Sequence, residues 1–316
     1  MHLHPLTIQT ADELAVEQLP PVTMVIGDIW PAGLYLLAGD PKCGKSLLIQ
    51  DLALAIATGS RAWGAYPVTQ GDCLYLAWEG GRRSFRDRIL KMLNGEPAPA
   101  RLSIAYESAP LLGGLEEQIE QWLRRQRAPR LVVIDTYAAV APEARGVDRR
   151  QDDYKALAGM RDLAAAWPDT LFIVVHHTRK SVAGEREDPM QRISGSTGLT
   201  AVTDGNAVLS RAIGSPHCTL DLRPRNSEEV HLVLGRDERL RWRPAGTDER
   251  AQLSQPRQEV LAWLDEHEGG TPAQIAESLG ADPAALRQVL GAMLADHQIA
   301  RPKRGYYTRV TPLAAA

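Results

Sequence analysis

Two phenylalanines, three cysteines and six lysines are all that these 316 residues contain of those types. Cys43, Cys73 and Cys218 lie too far apart for a paired metal motif or a disulfide framework, so three reduced thiols are expected. No apolar run approaches the roughly 20 residues that cross a bilayer. The opening MHLHPLTIQT also lacks the charged-then-apolar layout of a secretory signal, and the expectation is a cytoplasmic chain. Positive charge is not in excess either: the net charge of -3 excludes a uniformly basic nucleic-acid coat, and a polyanion would have to meet local patches. Of the 36 basic residues all but six are arginine, a bias that fits a GC-rich genome better than a function. Aromatic residues make up 5% of the chain, which leaves few platforms for stacking bases. The length suits one large domain with a small one attached.

Against these absences stands the stretch Leu34 to Thr58. A short apolar run, Leu34 to Ala38, reads as a buried strand; it gives way to Gly39, Asp40, Pro41, Lys42, Cys43, Gly44, Lys45 and Ser46, after which Leu47 begins a helical pattern. Strand, loop and helix follow in the order that G-x-x-x-x-G-K-[ST] requires. The two glycines let successive N–H groups face one concavity, and the helix N-terminus adds its positive end, so the loop is built for phosphate. Lys45 would reach the β- and γ-phosphates of ATP, and Ser46 would take a place on Mg²⁺. The Cys43 thiol is either acidified by Lys45 and the helix end or a passive part of the loop.

Three more buried strands are expected. Asp72 to Trp78 ends in Glu79, which either orients an attacking water or simply starts a turn. The RRSFRDRILKML that follows reads as a helix with a solvated arginine face. Leu131 to Ile134 ends in Asp135, an acid placed to hold Mg²⁺ opposite the phosphate loop. Leu171 to Val175 runs into His176 and His177, which point opposite ways, and His177 is taken as the one facing the γ-phosphate. Between these strands, 137–153 reads as a polar loop and Tyr154 to Ala166 as a helix. The Gly- and Ser-rich segment after Thr178 is either without a role or a clamp that sets Arg179, Lys180, Arg186 and Arg192 against phosphates. Asn206 to Leu209 and the runs CTLDLR and VHLVLG read as closing strands, with Arg223 and Arg225 near their tips.

After a polar linker, 244–255, come three short helices: Arg257 to Glu266, Thr271 to Leu279 with Thr271 as N-cap and Pro272 in the first turn, and Asp282 to Asp296. IARPKRGYYTRV then suggests a hairpin turning at Gly305. Three helices and a basic hairpin read as a winged helix-turn-helix, with Arg301, Lys303, Arg304 and Arg309 in the wing and an acidic first helix. Such a unit binds DNA or serves as a protein adaptor.

Taken in order, GDPKCGKS, LYLAWEGG, LVVIDT, VVHHTRK and ISGSTGLTAVTD resemble the RecA-type ATPase core of the plasmid RepA-like hexameric helicases, relatives of the DnaB replicative helicases. The resemblance covers about Val25 to Arg243. It implies an α/β core with a mostly parallel sheet, Glu79 as catalytic glutamate, Asp135 as the Mg²⁺ acid and His177 as γ-phosphate sensor. It further implies a homo-oligomeric ring on single-stranded DNA, a hexamer in the family's manner. An arginine from the neighbouring subunit would complete each ATP site, with Arg223 and Arg225 the best placed and Arg211 and Arg236 as alternatives. The expected layout is an N-terminal segment 1–24, an ATPase domain 25–243, a linker 244–255 and a winged helix 256–310, through which duplex DNA or a replication protein would be met. Two rival readings are an ATP-switched DNA-binding regulator and a RecA-type recombinase.

Overall fold

The computed structural model describes residues 8–18, 20–142, 149–178, 188–193, 197–212, 214–245, 255–295 and 298–309. A one-and-a-half-turn helix, α1 (Ala11–Val16), precedes a small antiparallel pair, β1 (Met24–Ile26) and β2 (Trp30–Pro31). The main sheet then opens with β3 (Gly33–Gly39), followed by α2 (Lys45–Thr58), β4 (Asp72–Ala77), α3 (Gly81–Leu93), β5 (Leu102–Ala105), α4 (Leu115–Leu123) and β6 (Pro129–Asp135). Next come α5 (Tyr137–Val140), α6 (Arg149–Ala166), β7 (Leu171–Val175), a 3₁₀ turn at Pro189–Arg192, α7 (Thr197–Val202) and β8 (Gly205–Ser210). Three more strands, β9 (His217–Pro224), β10 (Val230–Arg236) and β11 (Trp242–Pro244), complete it.

The strand order is β11-β10-β9-β8-β3-β7-β6-β4-β5. From β8 to β5 all neighbours are parallel, whereas β9, β10 and β11 are added antiparallel. The parallel strands are buried on both faces, as their near-continuous apolar runs require. Their period of two divides the core into two layers. Tyr35, Leu37, Cys73, Tyr75, Leu131, Val133, Ile173 and Val175 pack on one side with α2 and α3. Leu34, Leu36, Leu74, Leu76, Val132, Ile134, Phe172 and Val174 pack on the other with α4, α6 and α7. Helix α2 is buried almost all round because it lies under the antiparallel extension as well as on the sheet. No helix among the described residues is long and apolar enough to cross a membrane.

Several expectations shift. The loop expected at 137–153 is shorter: Tyr137–Val140 is helical and α6 begins at Arg149, where the good helix formers Arg149, Arg150 and Gln151 help carry the helix back from Tyr154. Strand β5 is an addition; with its LSIA only half buried at the sheet edge, it has no strong apolar run to announce it. The short β11 and the helix α4 are also new.

Beyond residue 254, α8 (Gln255–Glu266), α9 (Pro272–Leu279) and α10 (Pro283–Ala295) enclose their own apolar cluster of Val260, Leu264, Ile275, Leu290 and Met293. Thr271 caps α9, accepting from the Gln274 N–H at 3.3 Å while the Gln274 side chain accepts from the Thr271 N–H at 2.9 Å. The antiparallel strands β12 (Ile299–Lys303) and β13 (Tyr306–Arg309) turn at Gly305. Three helices with such a hairpin are compatible with a winged helix.

Candidate functional site: a phosphate cradle at the strand ends

Every parallel strand of the main sheet runs the same way, so the carboxyl ends of β3, β4, β6 and β7 converge on one edge of the sheet, the usual place for a ligand in an open α/β sheet. The loop after β3 curls tightly: a Cβ on Gly39 would stand 2.5 Å from the Leu209 carbonyl oxygen. At Gly44 the backbone has φ +114°, and a Cβ there would meet the Trp242 ring at 2.9 Å. Only glycine fits either place. Gly44 caps α2, whose first N–H groups therefore face the loop with the positive end of the helix behind them.

A cavity of about 420 Å³ opens over this helix end. Pro41, Lys42, Lys45, Ser46, Glu79, Thr136, His177, Arg88 and Arg236 are among its walls. Lys45 is buried, and its Nζ donates to the carbonyls of Gly39 at 2.8 Å and Asp40 at 3.1 Å. Asp135 is buried at the end of β6; its Oδ2 accepts from the Tyr75 hydroxyl at 2.6 Å. Its Oδ1 is buried with no hydrogen-bond partner. Burial pushes the Asp135 carboxyl up, against the Tyr75 and Ser46 hydroxyls, which favour its charged form. A buried carboxylate oxygen left over beside the Ser46 hydroxyl fits a hard divalent cation, so these two side chains suit Mg²⁺ carried in with a nucleotide.

On the other side of the cavity Glu79 accepts a hydrogen bond from Thr136 Oγ1 at 3.2 Å, and its Oε1 lies 3.8 Å from His177 Nε2. Both carboxylates thus come from strand ends, yet Asp135 is enclosed while Glu79 is half exposed to the cavity. His176 turns away and meets the Tyr137 ring edge-on at 5.4 Å.

The structure therefore gathers Gly39, Asp40, Pro41, Lys42, Gly44, Lys45, Ser46, Leu47, Glu79, Asp135 and His177 into one region. Cys43 is buried, and burial pushes its thiol up in spite of Lys45, so the acidified alternative gives way to the passive one. Arg192 needs a correction. It does not stand free for a nucleic acid: its guanidinium is largely enclosed and donates to Asp40 Oδ2 at 2.7 Å. Arg179, Lys180 and Arg186 lie outside the described residues. Arg223 and Arg225 are not brought to their own chain's phosphate loop. Because β9 runs antiparallel, Arg223 sits opposite Asn206, at the far end of the ladder from Leu209 and Gly39. There Arg223 pairs with Asp188 at 2.6 Å and Glu229 at 3.0 Å, and Arg225 donates to the Ala201 carbonyl at 3.0 Å. Arg301, Lys303 and Arg304 are exposed on the hairpin, while Arg309 is tied to Asp265 at 2.9 Å.

Three contributors escaped the sequence. Tyr75 supports Asp135, and its signal is a phenol in an otherwise aliphatic buried strand, which needs a partner. Thr136 directly follows Asp135. Arg88 enters the cavity from α3, far from the loop in sequence, and Arg236, named above only as an alternative for the neighbour's arginine, opens onto its own chain's cavity from β10.

Comparison with known proteins bears on the fold and the family. No curated protein matches the sequence. Among solved structures, the chain is similar to one determined as an isolated ATPase domain, with a TM-score of 0.55 and 12% identity over 68% of this chain and 85% of that one. It is similar as well to a DnaB-like replicative helicase studied for its interactions with primase, with a TM-score of 0.54 and 12% identity over 66% of this chain and 57% of the helicase. At such identity the likeness establishes the fold, a RecA/DnaB-type core. A model of the AAA domain family AAA_25 matches residues 2–183, more than half of the chain, with the phosphate loop, Glu79, Asp135 and His177 inside the match. This chain, a P-loop protein with a RecA/DnaB-like fold, belongs to the AAA_25 family of AAA domains.

Proposed function

We propose that the chain is a ring-forming motor that hydrolyses ATP with Mg²⁺ to move along single-stranded DNA, a replicative helicase of a phage or mobile element. The observation that carries this reading is the meeting of Glu79, Asp135 and His177 over the phosphate loop, at three strand ends of a DnaB-type sheet. Lys45 and the α2 N-terminus hold the phosphates, and Ser46 and Asp135 would hold Mg²⁺, which would supply charge neutralisation. Glu79, anchored by Thr136, orients water for in-line attack, and His177 senses the terminal phosphate from beside it. Arg223 and Arg225, remote from their own loop, suit service to a neighbouring subunit in a hexamer. An arginine in that role is worth about 10³ to 10⁵ in rate. In this reading 25–243 is the motor, 244–255 a linker and 256–310 a winged helix, in a cytoplasmic protein.

One observation favours a second reading. The exposed Arg301, Lys303 and Arg304 on a hairpin suit duplex DNA, which would make the ATPase a switch for a DNA-binding regulator. Turnover of ATP by the purified protein, with single-stranded DNA, with duplex DNA and with neither, beside Lys45→Ala, separates the two. Strong stimulation by single strands is expected of the motor. Turnover indifferent to single strands, with tight duplex binding, would transfer the assignment to the regulator.

A further inference from the structure

Arg236 ends β10 and opens onto the same cavity as Lys45 and Glu79. Its guanidinium carbon stands 5.5 Å from the centre of the Trp242 ring, and no carboxylate among the described residues pairs with it. The Trp242 ring is buried, with its edge against Gly44 at the start of α2. The backbone N–H of Trp242 donates to Asp51 Oδ2 at 2.7 Å, and Arg241 Nε forms an ion pair with Asp51 Oδ1. Asp51 belongs to α2 and is wholly buried. The helix that begins at the phosphate loop thus grips the β10–β11 connection through Asp51, and the gripped tryptophan gives Arg236 a platform beside the loop. Lys42, Lys45, Arg88 and Arg236 line this cavity against the single carboxylate of Glu79 there. Four cations so close repel one another unless a polyanion joins them.

We infer that Arg236 contacts the phosphates of the nucleotide bound by its own chain, and so differs from the arginines that would serve a neighbour. The inference rests on reading the cavity as a nucleoside triphosphate site. Displacement of a fluorescent ATP analogue by ATP and by inorganic tripolyphosphate tests it, in the wild type, Arg236→Ala and Arg236→Lys. Because Arg236 is exposed, neither substitution disturbs the core. Arg236→Ala should weaken both competitors by about 10-fold or more, the scale of a hydrogen bond to a charged group, and Arg236→Lys should recover part of that affinity. Unchanged affinity, or weaker binding of ATP without weaker binding of tripolyphosphate, overturns the assignment. A mixture of Arg236→Ala and Lys45→Ala chains should turn over ATP no faster than the two apart; recovery on mixing would show Arg236 serving a neighbour and overturn it as well. Failure of the wild type itself to bind ATP would instead remove the nucleotide reading on which the inference stands.

Discussion

Arg192 and Asp40, 152 residues apart, meet at 2.7 Å, and the same carboxylate accepts from the Thr178 hydroxyl through its other oxygen. Thr178 and Ile193 also form an isolated bridge, so the phosphate loop holds both ends of the segment that leaves β7. Burial pushes the Asp40 carboxyl up, but Thr178, Arg192 and Lys45 together outweigh it and hold the group below its ordinary value of 3.8. A depressed folded value means that the pair stabilises at neutral pH and loses its contribution as the pH falls below about 4. Arg192→Ala should lower the thermal midpoint by roughly 2–4 °C at pH 7, about 1 kcal/mol for a partly exposed pair. Measured near pH 3, the gap between variant and wild type should narrow. ATP affinity should fall several-fold while the salt dependence of single-strand binding stays as it was.

Glu79→Gln keeps the hydrogen bond from Thr136 but removes the charge that would orient water. It should bind ATP as the wild type does and turn it over about 10² to 10⁴ times more slowly. Single-turnover hydrolysis beside equilibrium binding measures both, and wild-type turnover would remove Glu79 from the chemistry.

The buried Asp51 and the largely enclosed Arg241 form a pair whose members cannot be removed singly without cost. Burial pushes the Asp51 carboxyl up, and Arg241 works against that rise. Asp51→Leu strands Arg241 and should destabilise by about 3–5 kcal/mol, whereas Asp51→Leu with Arg241→Leu should recover most of that stability. Chemical denaturation of the two single variants and the double variant closes this cycle, and additive effects would show that the pair is not coupled.

The hairpin cations act by charge on the proposed duplex-binding surface. Replacing Arg301, Lys303 and Arg304 by alanine should weaken duplex binding uniformly across sequences and reduce the slope of log affinity on log salt by about 0.9 for each phosphate no longer neutralised. Titrations at several salt concentrations read the slope; an unchanged slope would place the DNA-binding surface elsewhere.

How much of this is legible in the sequence depends on distance along the chain. The phosphate loop and its four core strands announce themselves locally, because strands buried on both faces need continuous apolar runs and the loop needs its glycines. Asp135 and Glu79 are readable because each directly follows such a run. What stays hidden are partnerships across the chain: Asp51 with Arg241, Tyr75 with Asp135, Arg192 with Asp40. A charged residue reads as solvated until the fold supplies its counterion, which is why Arg192 reads as free. Strand β5 escapes for the opposite reason, since an edge strand half open to water carries little hydrophobic signal.

The central position of β3 has a consequence for amide hydrogen exchange. Bonded on one side to β7 and on the other to β8, and buried along nearly its whole length, β3 can release its amides only when the entire core opens. Strand β5, paired on one side alone, should exchange through local fraying. Ligand at the phosphate loop would then slow exchange at the start of α2 and leave β3 unchanged until it stabilises the whole molecule. The strand that delivers the loop thereby becomes an internal gauge of global stability, against which local protection at the loop can be measured within one sample.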